Sequence, residues 1–262
     1  MKTGFVSAVA ALAILFTLSA AQAVTLKTEN FDNDPGWGSS SDGTHFLVDY
    51  SGSTNLAGGS VGEAGFQNAR PGEGEFGPAR YYADTNIGTL TASDPMQASF
   101  LFATAGSGTE IHIGFFNTNA NLNGASTDPN KAFIGVQADL NRWAASMKGP
   151  FGENVQFLTG GPDVVGPHPI SFSYDPTDGD GVLSIDIDGT TRTAALSASQ
   201  RAALDGGPGF NAFGIAPLPD APAGFRPAVI GLDNAEYTLI PEPASLVLAL
   251  VAGSMLLMRR RR

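Results

Sequence analysis

The sequence predicts an all-β domain, built as an antiparallel β-sandwich, between two terminal segments that lie outside the fold. Several segments alternate apolar and polar residues with a period of two, the pattern of half-buried strands. Glycine accounts for 33 of the 262 residues, about twice its usual share, which favours frequent turns. Because no long helical patterns alternate with the strands, a sandwich or jelly roll is expected rather than an α/β fold.

The strands can be placed along the chain from this alternation. Predicted strands cover residues 98–102, 110–116, 133–139, 142–147, 170–174, 183–188, 210–215 and 235–239. Residues 175–181 (DPTDGDG) are dense in turn formers, so the strands on either side of them should form a hairpin.

The remaining elements follow from local signals. Ser197 and Gln200 fit a capping box that starts a short helix through Leu204, with Gly206 placed to end it. Residues 51–80 are rich in glycine and weakly periodic, which predicts a long loop system over one edge or face. No internal repeat or linker divides residues 24–240, so one domain is expected.

Three segments resemble parts of a known fold. Residues 29–37 (ENFDNDPGW), residues 230–237 (IGLDNAEY) and the hairpin over residues 174–189 resemble the first strand, the last strand and a late hairpin of concanavalin A-like, laminin-G-like jelly rolls. The resemblance spans most of residues 24–240. It implies that the first and last strands are neighbours in one sheet.

The N-terminal end has the organisation of a secretory signal. Lys2 gives a basic start, residues 5–20 are almost continuously apolar, and Ala21, Gln22 and Ala23 form the small-x-small pattern that signal peptidase accepts. We expect cleavage after Ala23, which makes residues 1–23 a signal peptide. The alternative is an uncleaved N-terminal anchor.

The C-terminal end has three parts in a fixed order. Pro241, Glu242 and Pro243 precede the apolar residues 244–258, which are followed by Arg259, Arg260, Arg261 and Arg262. This order resembles the PEP-CTERM sorting signal of Gram-negative bacteria and covers residues 241–262. The resemblance implies transient insertion in the inner membrane, recognition by the membrane protease exosortase, and release to the cell surface or outside. A plain membrane anchor is the alternative.

The region between these signals is acidic. Without Lys2, the four terminal arginines and Glu242, the 14 basic and 25 acidic residues become nine and 24, a net charge of −15. Such a surface repels nucleic acid and anionic lipid and attracts cations. The absence of cysteine excludes disulfides and a thiol nucleophile.

Clustered carboxylates are candidates for a structural Ca²⁺ site. Asp175, Asp178 and Asp180 place three hard oxygen ligands within six residues. Hairpin turns also favour aspartate for local hydrogen bonds, so a plain turn is the alternative. Asp32 or Asp34 could meet Asp233 at a second site if the first and last strands are adjacent. The three histidines, His45, His112 and His168, are too far apart for a local metal motif.

The sequence contains no convincing catalytic constellation. Residues 186–189 (DIDG) are the nearest match to the strand-borne carboxylates of jelly-roll glycosidases, but they lack both glutamates. Trp37 and Trp143, with Tyr81 and Tyr82, are candidates for stacking on sugar rings, and core packing is the alternative for each.

The function expected from these observations is non-enzymatic. We expect an exported cell-surface or matrix protein that binds polysaccharide and holds a structural Ca²⁺. The rival hypotheses are a divergent glycoside hydrolase or lyase on the same scaffold, and a purely structural surface protein that self-associates.

Overall fold

The computed structural model describes fifteen strands and one helix together with parts of the loops that connect them. This part comprises residues 25–39, 48–49, 56–59, 62–67, 81–105, 111–120, 122, 128–139, 142–151, 155–160, 166–217 and 229–239. Residues from Thr25 to Leu239 belong to one compact unit. The predicted cleavage site at Ala21 and Ala23, the motif Pro241, Glu242 and Pro243, and the arginines 259–262 lie outside the described residues.

The strands are β1 Thr25–Glu29, β2 Gly38–Ser39, β3 Val48–Asp49, β4 Glu63–Gln67, β5 Tyr82–Asp84, β6 Met96–Ala105, β7 Ile111–Phe116, β8 Phe133–Asp139, β9 Arg142–Lys148, β10 Val155–Gly160, β11 His168–Asp175, β12 Val182–Ile187, β13 Thr190–Ala195, β14 Ala212–Pro217 and β15 Val229–Leu239. The helix, α1, is Ala198–Asp205. Within the described part of the chain, no helix has the length and apolar character that a membrane crossing would need.

The described strands form two antiparallel sheets. The eight-stranded sheet has the order β13-β12-β11-β6-β15-β4-β3, with β1 also paired to β15. The seven-stranded sheet has the order β10-β9-β8-β7-β14-β5-β2. The fold is the predicted all-β antiparallel sandwich. The first and last strands are adjacent as predicted, with Thr25 opposite Leu239, but the first strand is Thr25–Glu29 and not the segment 29–37, which lies outside any strand after Glu29.

Two local predictions are confirmed in detail. β11 and β12 pair as the predicted hairpin, with Tyr174 opposite Leu183. Ser197 is the N-cap of α1, and its capping box with Gln200 is complete. The next hairpin, between β12 and β13, turns at Asp188 and Gly189, whose φ angles of 51° and 78° are those of a two-residue type I′ turn.

The core lies between the inner faces of the two sheets. Phe115 and Phe213 of the seven-stranded sheet contact each other at 5.1 Å, and Phe115 meets Phe172 of the other sheet edge-to-face at 6.0 Å. Phe213 also stacks on Tyr237 of β15 at 4.1 Å. Aromatic contacts of this geometry stabilise a core beyond the area they bury.

A partly buried ion pair joins the two sheets near the first strand. The Asp84 carboxylate on β5 is 2% exposed and accepts hydrogen bonds from Lys27 Nζ of β1 at 2.8 Å and from the Tyr237 hydroxyl of β15 at 2.7 Å. Strands β1 and β15 are thereby tied to β5 of the opposite sheet.

The predicted loop system over residues 51–80 needs correction, because β4 (Glu63–Gln67) lies within it and pairs with β15. The strand carries a buried glutamate, Glu63, whose Oε2 accepts the Ala57 N–H at 2.9 Å. A glutamate and a glycine within five residues conceal the strand, since both residue types are uncommon in strands.

Candidate functional site

Both tryptophans predicted as ligand residues lie in the core. Trp37 is 8% exposed and sits among Phe31, Tyr82 and Tyr237, with ring centroids 5.0, 5.3 and 6.1 Å away. Trp143 is fully buried and meets Phe102 edge-to-face at 5.0 Å. Neither indole presents a face to solvent, so the prediction that Trp37 and Trp143 stack on sugar rings is wrong.

The two tyrosines grouped with them are placed differently. Tyr82 is 4% exposed and belongs to the core. Tyr81 is partly buried and packs beside Phe116, with ring centroids 5.9 Å apart. Neither tyrosine forms an open aromatic platform.

The candidate calcium turn is a hydrogen-bonded turn. The Asp175 Oδ1 accepts the N–H and the hydroxyl of Thr177 at 2.8 and 2.7 Å, and these bonds hold the pKa of Asp175 below its usual value. Asp178 and Asp180 are exposed. The described residues contain no group of three or more His, Asp or Glu side chains placed to hold a metal ion, so Asp175, Asp178 and Asp180 do not form the predicted site.

The aspartates of the second candidate cation site make local hydrogen bonds. Asp32 accepts a hydrogen bond from Asn30 at 2.6 Å, and Asp34 accepts the Gly36 N–H at 2.8 Å. Asp233 is fully buried on β15, and its Oδ1 accepts the Asn234 N–H at 2.6 Å. The first and last strands are adjacent as predicted, but the two exposed aspartates are engaged locally in the turn after β1.

The histidines are separate. His112 is buried on β7, with Nδ1 3.2 Å from the Ala216 carbonyl oxygen. His168 lies at the start of β11, with Nδ1 2.5 Å from the Asp188 carboxylate. His45 lies outside the described residues.

The outer face of the seven-stranded sheet carries five polar residues, of which sequence reasoning considered only His112. Its strand register aligns His112 with Gln137 and places Ser146 and Lys148 on the same side of β9, while Lys131 directly precedes β8. All five are buried. The Ser146 hydroxyl donates to Gln137 Oε1 at 3.2 Å, and Lys148 Nζ donates to the Leu122 carbonyl at 3.3 Å.

The electrostatics of this face follow from its burial. Burial and the neighbouring charge of Lys148 lower the pKa of Lys131 to about 8. Ala120 and Leu122 pack against Phe116 and Phe133 of the same face. The described polar groups of this face are buried and bond to the protein.

The outer face of the eight-stranded sheet is different, because it forms an open groove of about 400 Å³. We call it the serine groove. Its polar lining consists of small hydroxyl and amide side chains with one carboxylate on each side; the polar residues are Gln97, Ser99, Ser171, Ser173, Ser184, Asp186, Thr191 and Glu236. Leu26 of β1 forms part of its wall. Its side chain is 41% exposed, and among the described residues it is the one large hydrophobic side chain that is exposed.

Strand register orders the groove into rows across the sheet. In one row Thr191, Asp186, Ser171, Ser99 and Glu236 are successive cross-strand neighbours. In the next row Ser184 lies opposite Ser173, which lies opposite Gln97. The Asp186 carboxylate is oriented by the Gly189 N–H and the Thr191 hydroxyl, each at 2.9 Å.

The two carboxylates of the groove are far apart. Asp186 on β12 and Glu236 on β15 are separated by β11 and β6, which places their backbones about 14 Å apart at the usual strand spacing. The paired carboxylates of glycosidases lie about 5 to 9.5 Å apart. Asp186 and Glu236 are not adjacent cross-strand neighbours, since Ser171 and Ser99 lie between them in the row.

Comparisons with known proteins bear on the fold. No protein-family model matches the chain, and no curated protein matches its sequence. Among solved structures, it is similar to a protein of unknown function from Shewanella oneidensis MR-1, with a TM-score of 0.50, 12% identity, and coverage of 88% of this chain and 93% of that chain.

Two further structures show a looser likeness. Arcelin-5, a lectin-like defense protein from Phaseolus vulgaris, has a TM-score of 0.48 and 12% identity over 83% of this chain and 100% of its own. The β-glucanase of Bacillus licheniformis has a TM-score of 0.47 and 13% identity over 83% of this chain and 99% of its own. At these identities the likeness concerns the fold alone.

Proposed function

We propose that the protein is a non-enzymatic, exported surface protein that binds polysaccharide in the serine groove. The open groove on the eight-stranded sheet carries this proposal. Its hydroxyl and amide side chains can donate and accept hydrogen bonds, as the hydroxyl groups of a sugar require. Leu26 adds an apolar contact beside them.

The position of the groove supports binding without catalysis. It runs across the strands β12, β11, β6 and β15 and is open to solvent, so an extended chain can lie along it without threading into a cavity. A hydrolase that retains configuration would need two carboxylates about 5 to 5.5 Å apart, and Asp186 and Glu236 are separated by three strand-to-strand steps. This groove therefore gives a retaining hydrolase less support than polysaccharide binding.

A glycan array probed with the chain Val24–Ile240 tests the proposal. This chain contains the compact unit from Thr25 to Leu239, with both sheets and the core between them. We expect binding to one class of polysaccharide. Ser171→Trp or Ser173→Arg, which fill the groove, should each weaken that binding about tenfold or more, because a lost set of hydrogen bonds and contacts of this kind exceeds 1.4 kcal/mol.

The matched control is Ala202→Trp, which places the same large side chain on the exposed side of α1 and should leave binding unchanged. Thermal melting of each variant separates loss of binding from loss of fold. Undiminished binding by both folded groove variants would contradict the assignment of the groove. Product release from any bound glycan would instead favour the enzyme, and concentration-dependent light scattering without glycan binding would favour a self-associating structural protein.

The proposal of export rests on the two ends of the sequence. Cleavage after Ala23 by signal peptidase and removal of the tail by an exosortase, recognising Pro241, Glu242 and Pro243, would release residues 24–240 to the cell surface. Mass spectrometry of the native secreted protein should find Val24 at the N-terminus and no Arg259–Arg262. An intact arginine-tipped tail in the inner membrane of a strain with active sorting machinery would contradict it.

A further inference from the structure

We infer that the ligand class of the serine groove is a polysaccharide that carries free amino groups, such as a partly de-N-acetylated hexosamine polymer. The inference rests on the proposed function, because it concerns the same groove and names the chemistry of its ligand. Its basis is the distribution of charge along the row that runs from Asp186 to Glu236.

The ionisable residues lining the groove are all acidic. Asp186 and Glu236 are its charged residues, and the lining that the structure describes contains no Lys, Arg or His. Lys27 is the lysine of β1 and directly follows Leu26, which lines the groove. Successive residues of a strand point to opposite faces, so Lys27 faces the other side of the sheet, where its Nζ donates to Asp84. The groove therefore repels uronates and sulfated sugars and attracts ammonium groups.

The carboxylates are placed to act on two separate amino groups. Ser171 and Ser99 lie between them in the same row, so a bound chain would meet a carboxylate, two hydroxyl groups and a second carboxylate in succession. The bonds from the Gly189 N–H and the Thr191 hydroxyl orient Asp186 before a ligand arrives. Preorganisation of this kind lowers the entropic cost of binding.

The expected preference is modest, because the groove is open to solvent. Exposed ion pairs each contribute a small factor to affinity, and two of them together should favour the amine over its acetylated form about five- to tenfold. The preference should fall as salt is added, since screening weakens exposed ion pairs.

The experiment compares three labelled oligosaccharides of equal length, namely a glucosamine oligomer, the corresponding N-acetylglucosamine oligomer and a galacturonate oligomer. Binding to the chain Val24–Ile240 is measured by calorimetry at mildly acidic pH and at two salt concentrations. We expect the order glucosamine, N-acetylglucosamine, galacturonate. The double variant Asp186→Asn/Glu236→Gln should bind the first two equally.

Three further variants separate the groove from the net charge of the protein. Asp178→Asn/Asp180→Asn makes the same change in charge at the exposed turn between β11 and β12 and should keep the preference. Glu236→Gln alone should reduce the preference for the glucosamine oligomer at least about twofold. This single variant keeps the hydrogen bonds of Asp186, so it avoids any loss of fold that their removal could cause. Ser171→Trp should abolish binding of the glucosamine oligomer.

The outcomes distinguish the inference from the proposed function. Equal binding of the amine and its acetylated form by the unmodified groove would overturn the inference and leave polysaccharide binding in place. Binding of the glucosamine oligomer that survives Ser171→Trp would also overturn it, because the attraction would then come from the acidic surface as a whole. Failure of every oligosaccharide and polysaccharide to bind would overturn both.

Discussion

Asp84 is a buried charge that joins the two sheets through Lys27 and Tyr237. Burial alone would raise its pKa, but hydrogen bonds from Lys27, Tyr237 and the Asn86 N–H outweigh that effect and hold the pKa of Asp84 below its usual value. Burial raises the pKa of the Tyr237 hydroxyl, and the Asp84 carboxylate raises it further. A charge held in this way stabilises the fold only while it is ionised.

Asp84→Asn should therefore lower the free energy of unfolding by about 2 kcal/mol at neutral pH, because it removes the charged acceptor of two hydrogen bonds. The loss is limited because the Lys27 side chain is partly exposed and its ammonium group can still be hydrated. The stabilisation is present above the unfolded pKa of about 3.9 and is lost as pH falls through the lower folded value. Urea unfolding of wild type and variant across this range checks both statements. The exposed change Asp178→Asn is the control, and a wild-type advantage that persists unchanged into strong acid would contradict the assignment.

Lys131 presents the opposite case of a buried charge. Its pKa is lowered to about 8, so between about pH 8 and pH 10.4 the folded chain binds fewer protons at this lysine than the unfolded chain does. The contribution of Lys131 to stability therefore rises with pH over this interval and is unfavourable below it.

Lys131→Met, which keeps most of the aliphatic stem, should raise stability at neutral pH by about 2 kcal/mol. Chemical unfolding at several pH values should show the advantage of the variant shrinking as pH rises through the interval. Substitution of an exposed basic residue such as Arg192 by methionine is the control for general effects of removing a positive charge. A variant that is less stable than wild type at every pH would show that the ammonium group is fully compensated by its surroundings.

At the scale of elements, a row of small residues shapes the seven-stranded sheet. Gly214 of β14 pairs with Gly114 of β7, which pairs with Gly135 of β8, and that residue pairs with Ser146 of β9. A Cβ on Gly135 would lie within 3 Å of the backbone of β7, against the Ile113 carbonyl and Gly114 Cα. The strands therefore approach one another more closely here than side chains permit.

Gly135→Ala should destabilise the domain by about 1 to 3 kcal/mol, because the obstructing atoms belong to the backbone and cannot turn aside. Thermal or urea unfolding measures the effect. Gly206→Ala is the matched control, since a Cβ there meets only ordinary contacts from 3.4 Å and its φ of −81° suits any residue. Equal stability of the two variants would mean that the row of glycines is not required for this strand spacing.

The elements that sequence reasoning found and missed differ in how they are buried. β11 alternates between buried and exposed residues along its length, so its period of two is visible and the strand was predicted. β13 has five of six residues exposed and β5 has all three buried, so neither alternates. A strand that is polar on both faces or apolar on both faces gives no periodic signal.

The candidate site was less predictable than the fold. Ser99, Ser171 and Ser184 lie on three strands and meet only through the register of the sheet, which alternation within one strand does not determine. Trp37 and Trp143 drew attention because aromatic rings bind sugars, yet large apolar surface favours the core when one is available. A search for exposed polar positions facing one another across predicted hairpins would have found Ser173 opposite Ser184.

At the scale of the whole molecule, the first strand links the ends of the domain to both the ion pair and the groove. β1 pairs with β15 over five residues, from Thr25 opposite Leu239 to Glu29 opposite Ala235. It supplies Lys27 to Asp84 and Leu26 to the serine groove. The predicted signal cleavage after Ala23 would leave this strand complete.

Removal of β1 should therefore affect stability and binding together. A chain that begins at Asn30 loses the ladder to β15 and leaves Asp84 buried without its lysine, so it should be at least about 2 kcal/mol less stable and melt about 5 °C or more below a chain that begins at Val24. Lys27→Met in the longer chain removes the ion pair but keeps the strand and Leu26, and it should lose part of the stability while still binding polysaccharide. Calorimetry and the glycan assay on the three proteins separate these contributions. If the chain beginning at Asn30 had the same melting temperature as the chain beginning at Val24, the pairing of β1 with β15 would add nothing to the stability of the fold. A processing site further along the chain would then be equally compatible with a stable domain.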